Sequence, residues 1–126
     1  MKPSCLLDTR IFLWWRAADS RLSKPMRTFI TRADRVYVSA ATGWECSIKS
    51  QLGKLTLPQT IAEGIEASGF IELPISVAHA ERAGKLPMHH RDPFDRMLVA
   101  QAELEGLPLL SVDRTLARYG VVVFSG

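Results

Sequence analysis

Asp8, Glu45, Asp95 and Asp113 are the residues whose type and placement could do chemistry together. Asp8 closes the apolar run Cys5-Leu6-Leu7, and Asp113 closes Leu109-Leu110-Ser111-Val112. Glu45 lies just past Val36-Tyr37-Val38, and Asp95 lies in the tight segment Arg91-Asp92-Pro93-Phe94-Asp95. In an open parallel α/β sheet, ligand-binding residues sit beyond the carboxyl ends of the strands. Carboxylates gathered at that edge repel and raise one another's pKa unless a cation lies between them. Oxygen-only ligands select Mg²⁺ or Mn²⁺ over zinc. Cys5 and Cys46 have no metal-type spacing and read as small buried hydrophobes.

The elements that must position these acids alternate along the chain. Strands are expected at Ser4–Leu7, Val36–Ser39, Phe70–Leu73, Leu109–Val112 and Val121–Phe124. Helices are expected at Thr9–Ala18, at residues 21–33, at Thr42–Leu52 with Gly53 as its stop, from Pro58 toward Ser68-Gly69, and at residues 76–84 ending on Gly84. Asp92 as N-cap and Pro93 in the first turn open a strong helix to Glu105, which Gly106 ends. A short helical turn covers Arg114–Arg118. Strands alternating with helices predict an α/β fold with three α/β/α layers around a mainly parallel sheet of about five strands.

Length and charge bound the reading further. The 126 residues make one domain, 1–126, with enough chain for a hydrophobic core without disulfide staples. No apolar run approaches the roughly 18 residues of a membrane helix, and no signal-peptide core opens the chain, so a cytoplasmic setting is expected. Residues 1–60 carry a net charge of +6 and residues 61–126 a net charge of −3. With the four acids neutralised by metal, 16 Lys/Arg would face nine Asp/Glu, a balance that suits a polyanion but on charge alone is also that of an ordinary soluble protein of slightly high pI.

Each acid also has an ordinary explanation. Asp8 and Asp113 can cap the helical segments that follow them, Asp95 can support a first turn, and Glu45 can pair with Lys49 at i,i+4. Either Asp92 or Asp95 could be the ligand from its segment. Thr9 and Ser111 stand beside the acids, where a hydroxyl could orient a carboxylate or serve as a plain turn residue. Arg91 and Arg96 could hold phosphate bidentately or balance Asp92 and Asp95. His79 reads as a surface or packing residue; His90 could contact Asp92 or a substrate phosphate. Ile11-Phe12-Leu13-Trp14-Trp15 is apolar all round, so it needs either a neighbouring helix or a protein partner to cover it.

The chain resembles the PIN-domain ribonucleases, and among them the VapC-type toxins of bacterial toxin–antitoxin pairs. Four stretches carry the resemblance. They are Leu6-Leu7-Asp8-Thr9-Arg10; Trp44-Glu45-Cys46-Ser47-Ile48-Lys49 with Gly53-Lys54-Leu55; the run from His90 to Ala102, which contains Asp92-Pro93-Phe94-Asp95-Arg96; and Ser111-Val112-Asp113. The family's acids fall on Asp8, Glu45, Asp95 and Asp113, with Asp95 favoured over Asp92 because Asp92 suits the N-cap. The resemblance implies Mg²⁺- or Mn²⁺-dependent endonucleolytic cleavage of RNA, with Asp8, Asp95 and Asp113 holding metal and Glu45 positioning or deprotonating the attacking water. It also implies a homodimer and a cognate antitoxin, for which residues 11–15 offer a candidate docking surface.

Other readings compete. A DNA-directed nuclease would use the same acids, since they do not distinguish the sugar. A catalytically silent nucleic-acid- or antitoxin-binding module could retain them as structure. A phosphotransfer receiver needs an acid pair after strand one and an Asp after strand three, whereas here Asp8 stands alone and the third strand ends Leu73-Pro74.

Overall fold

The computed structural model describes residues 3–126. Its elements run β1 (Cys5–Leu7), α1 (Thr9–Arg16), α2 (Lys24–Arg32), β2 (Val36–Ser39), α3 (Ala40–Gln51), α4 (Ile61–Ala67), β3 (Ile71–Leu73), α5 (Val77–Lys85), α6 (Pro93–Glu105), β4 (Leu109–Leu110), a 3₁₀ helix (Arg114–Tyr119) and β5 (Val123–Phe124). The strands form one five-stranded sheet in the order β3-β2-β1-β4-β5, and every pairing is parallel.

β1 is central, and all three of its residues are buried. Cys5 and Leu7 join one apolar cluster while Leu6 joins the other, the alternation of a strand covered on both faces. The first cluster is completed by Ile11 and Phe12 of α1, Met26 and Ile30 of α2, and Ile65 of α4. The second takes Ala83 of α5, Leu98, Val99, Ala100 and Ala102 of α6, and Leu116 of the 3₁₀ helix. Helices therefore cover both faces, as expected from the alternation of strands and helices. α3 reaches across, touching α1, α4 and α6.

The register fixes where the acids emerge. Leu7 of β1 pairs with Val38 of β2 on one side and with Leu110 of β4 on the other. The next residues, Asp8, Ser39 and Ser111, thus lie side by side at the carboxyl edge of the sheet. Chain geometry at the helix starts does the rest. Ser39 caps α3 through Ala41 N–H, and Asp92 caps α6 through Phe94 and Asp95 N–H. α6 ends at Gly106 in the left-handed region (φ 66°), a conformation glycine adopts without a Cβ clash.

Local differences from the sequence reading have identifiable causes. α4 begins at Ile61 rather than Pro58, because Thr60 and Glu63 form a capping box that sets the first turn. α5 continues past Gly84 to Lys85, and the last two strands are shorter than expected. His79 is buried: its Nδ1 accepts from Ser76 N–H in a second capping box, and its Nε2 lies 3.0 Å from Glu105. Cys5 and Cys46 are free and buried, and burial pushes the Cys5 thiol up to about 12.

The apolar stretch of α1 is covered largely from within. Ile11 and Phe12 are buried, Trp15 packs on Phe70 with ring centroids 5.7 Å apart, and the Arg21 guanidinium lies 5.1 Å from the Trp14 ring. The exposed apolar surface lies elsewhere. Trp44 is 64% exposed and stands edge-on to Phe94. Among the described residues no helix is long and apolar enough to cross a membrane.

Candidate metal centre

Asp8, Glu45, Asp95 and Asp113 converge on one cleft at the carboxyl edge of the sheet. A cavity of about 380 Å³ is lined by all four, by Asp92, and by Thr9, Arg10 and Lys49 among others. A larger cavity of about 750 Å³ lies between α3 and residues 57–63, but its one carboxylate, Glu63, is already used in the α4 capping box.

Asp8 is buried at the end of β1, where its Oδ1 accepts from Ile11 N–H at 2.8 Å. The capping role and the place in the cluster therefore coexist. Burial holds the Asp8 carboxyl above the usual carboxylate range; the Ser111 hydroxyl and the Ile11 amide pull against that shift, and the Glu45 charge adds to it. Glu45 comes from the second turn of α3 and is also buried. Its Oε1 accepts from the Thr9 hydroxyl at 2.7 Å, and its Oε2 meets Lys49 Nζ at 2.7 Å. Thr9 Oγ1 also lies 3.0 Å from Thr42 Oγ1. Both sequence readings of Glu45, the Lys49 pair and the shared cluster, hold at once.

Asp95 sits in the first turn of α6 and Asp113 at the cap of the 3₁₀ helix. Asp95 is pushed up to about 6, first by burial and then by the Asp92, Asp8 and Glu45 charges, with His90 opposing. Among the described residues its carboxylate meets only one basic group, His90 Nε2 at 3.5 Å. Asp92 differs. Its Oδ1 accepts from two amides, Phe94 N–H at 2.8 Å and Asp95 N–H at 3.2 Å. Asp92 is thus the N-cap, while Asp95 lines the cleft with a carboxylate that caps nothing and meets only His90 among the basic groups of the described residues. Asp113 is held below the usual range, chiefly by the Thr115 hydroxyl and with help from His90.

The donor set fits a hard divalent cation. Two of its carboxyls, Asp8 and Asp95, are raised by burial and by neighbouring carboxylates, the signature of acids crowded without a counter-charge. The described residues also place His90, Asp95 and Asp113 so that one ligand atom of each lies within 4.8 Å of the others.

Arg96 departs from the sequence reading. It is buried, and its guanidinium donates to the carbonyls of Ala83, Leu86, Pro87 and His90. With Nη1 and Nη2 both spent on carbonyls of α5 and of the loop before α6, the guanidinium fork is not free to hold a phosphate bidentately. Arg91 is exposed. Ser111 is buried, and its hydroxyl accepts from Asp113 N–H, so it braces two of the acids together. The Glu45–Lys49 pair and a His90 contact to Asp92 follow the sequence reading, whereas the Thr9–Thr42 contact and the reach of His90 to Asp95 and Asp113 had no signal in it. His90 is five residues from Asp95 and 23 from Asp113, a juxtaposition only the fold creates.

The sequence pattern of the PIN domain family matches residues 5–122, nearly the whole chain. The chain belongs to the PIN domain family. It is 30% identical over 119 residues to Ribonuclease VapC22 of Mycobacterium tuberculosis (strain ATCC 25618 / H37Rv), with 88% of each chain covered. Solved structures with this PIN fold include FitAcB from Neisseria gonorrhoeae (TM-score 0.67, 19% identity, 96% of each chain). A toxin–antitoxin complex from Klebsiella pneumoniae aligns with TM-score 0.68 at 20% identity, again over 96% of each chain. VapBC2 from Rickettsia felis, bound to a DNA fragment from their promoter, aligns with TM-score 0.69 at 11% identity, over 96% of this chain and 97% of that one. At these identities the structures speak for the PIN fold alone.

Proposed function

We propose that this PIN domain is a VapC-type ribonuclease, the toxin of a toxin–antitoxin pair, and that it cleaves RNA endonucleolytically with Mg²⁺ or Mn²⁺. The convergence of Asp8, Glu45, Asp95 and Asp113 on one cleft carries the reading. The ribonuclease name of the 30%-identical relative and the toxin–antitoxin complexes among the structural neighbours support it. Asp8, Asp95 and Asp113 would hold the metal, which when bound supplies a Lewis acid for the phosphodiester and lowers the pKa of attacking water.

The chain's own residues supply the remaining work. Glu45, fixed between Thr9 and Lys49, is the group that orients the attacking water or takes its proton. Its two anchors hold one carboxylate oxygen each. Asp92 keeps the first turn of α6 in place and so aims Asp95. Arg10 and Lys49 are exposed at the mouth of the cleft, where they can meet RNA phosphates. The partners proposed are the RNA substrate, a cognate antitoxin and a second copy of the chain, all in a cytoplasmic setting. α1 offers the antitoxin less free apolar surface than its sequence suggests, since Trp15 and Trp14 already lie against Phe70 and Arg21.

Purified protein incubated with mixed small RNAs tests this. Cleavage should require Mg²⁺ or Mn²⁺, stop on chelation, and fail on single-stranded DNA run in parallel. Metal-dependent cutting of DNA with intact RNA would replace the substrate. No metal-dependent cutting of either would leave a binding module.

A further inference from the structure

His90 stands beside the cleft, against Asp95 and Asp113, without a part in the chemistry above. It belongs to the loop between α5 and α6, with its ring half-buried between the 3₁₀ helix and the first turn of α6. By distance alone, His90, Asp95 and Asp113 resemble three ligands of one ion. The hydrogen bonds say otherwise.

His90 Nδ1 lies 3.1 Å from the backbone N–H of Asp92 and accepts from it. A backbone amide can only donate, so Nδ1 must present its lone pair. In the neutral ring the proton then resides on Nε2. Nε2 in turn points at Asp113 Oδ2, 3.0 Å away, with Asp95 Oδ2 at 3.5 Å. To ligate a metal through Nε2, the ring would have to move its proton to Nδ1 and set two N–H groups against each other.

The rest of the contact set points the same way. Asp113 Oδ1 accepts from both the amide and the hydroxyl of Thr115. With His90 on Oδ2, the carboxylate plane is gripped at both oxygens. His90 is itself fixed by its backbone. Its N–H donates to Tyr119 Oη at 2.8 Å, and its carbonyl accepts from Arg96 Nη1 at 3.3 Å. The buried Arg96 guanidinium, tied also to Ala83, Leu86 and Pro87, thus holds the loop that aims the imidazole.

The geometry assigns His90 as a positioning residue, an Nε2–H donor that orients Asp113, with Asp95 beside it, for the divalent ion and does not ligate that ion. The assignment rests on the metal-nuclease reading. Carboxylate ligands elsewhere are held by hydrogen bonds from groups outside the coordination sphere, and losing such a partner weakens metal binding by about 10- to 100-fold.

Long-range ¹⁵N–¹H spectra of the imidazoles, recorded on the whole protein, read the tautomer directly. His90 is expected to carry its proton on Nε2 without metal and to keep it there as Mg²⁺ is titrated to saturation. A proton that moves to Nδ1 on Mg²⁺ addition, or that sits there from the start, overturns the assignment. Calorimetric titration with Mn²⁺ adds a second readout. His90→Ala should weaken uptake at least about 10-fold, whereas His90→Gln, which keeps a terminal N–H donor, should stay within about threefold of the native protein. Equal loss in both variants, or native or tighter uptake by His90→Ala, overturns the assignment. Should His90→Ala fail to fold, the spectra of the native protein decide alone. A native protein that takes up neither metal and cuts no RNA removes the nuclease reading and this role together. Normal metal uptake with the proton on Nδ1 removes only the role of His90.

Discussion

The two walls of the acidic cleft are built differently. On the wall formed by β1 and α3, Asp8 and Glu45 are buried, and each is tied to donors on helices, Ile11 N–H for Asp8 and Thr9 and Lys49 for Glu45. On the wall formed by α6 and the 3₁₀ helix, Asp95 and Asp113 are only half-buried and share one histidine donated by a loop. The first wall is set by regular structure and the sheet register. The second depends on a loop that Arg96 must hold by its carbonyls. Carboxylate crowding is therefore met by fixed donors on one side and by a braced loop on the other.

The contrast predicts where the molecule breaks. Asp8→Asn should have the largest effect on function, lowering metal-dependent RNA cleavage by about 10³-fold or more. An asparagine side chain still caps α1 and repulsion falls, so the metal-free Asp8→Asn protein should melt no lower than the native protein. A large drop in its melting temperature would make Asp8 chiefly a structural cap. Arg96→Met tests the other wall. It leaves the carbonyls of Ala83, Leu86, Pro87 and His90 without their donor, so denaturant unfolding should show a loss of about 3 kcal/mol. Near-native stability would mean that the loop holds itself.

The titration of Asp95 gives a smaller effect of defined sign. Its carboxyl is raised from 3.8 to about 6 in the folded protein, so between those values the folded state keeps a proton that the unfolded chain has lost. Metal-free stability should therefore fall as pH rises from about 4 to 6, by on the order of 1–2 kcal/mol, with Asp8 acting in the same direction. Asp113 is lowered, so its contribution is lost only below the ordinary carboxylate range. Thermal melts across pH, with and without excess Mg²⁺, check this; a metal-free profile that rises through that window would contradict the crowding of the acids. The smallest effect expected is that of Asp92→Asn, which keeps the N-cap and should change stability by about 0.5 kcal/mol or less and cleavage by under tenfold, against near-complete loss of cleavage for Asp95→Asn. Reversed activities in the two variants would move the ligand role to Asp92.

Much of this was legible in the sequence because it rests on local rules. Apolar runs of three or four residues ending in an acid mark buried strands at a ligand-bearing edge, and Asp92-Pro93 opens α6 by capping chemistry contained within four residues. Those rules placed the five parallel strands and the four acids, and the motifs around them pointed to the PIN family. The tertiary structure decided what depends on contacts between distant segments. Arg96 looks like a phosphate clamp beside two acids in the sequence, yet packing against the α5–α6 loop buries it among carbonyls. Trp14 and Trp15 look uncovered until Phe70 and Arg21 arrive from other elements. His90 meets Asp113 across 23 residues of chain, and its tautomer is set by one amide whose direction only the folded loop defines. Residue type and short spacing determine which groups can cap, pair or ligate; which of those options each one takes is fixed by the directions and burial that packing imposes.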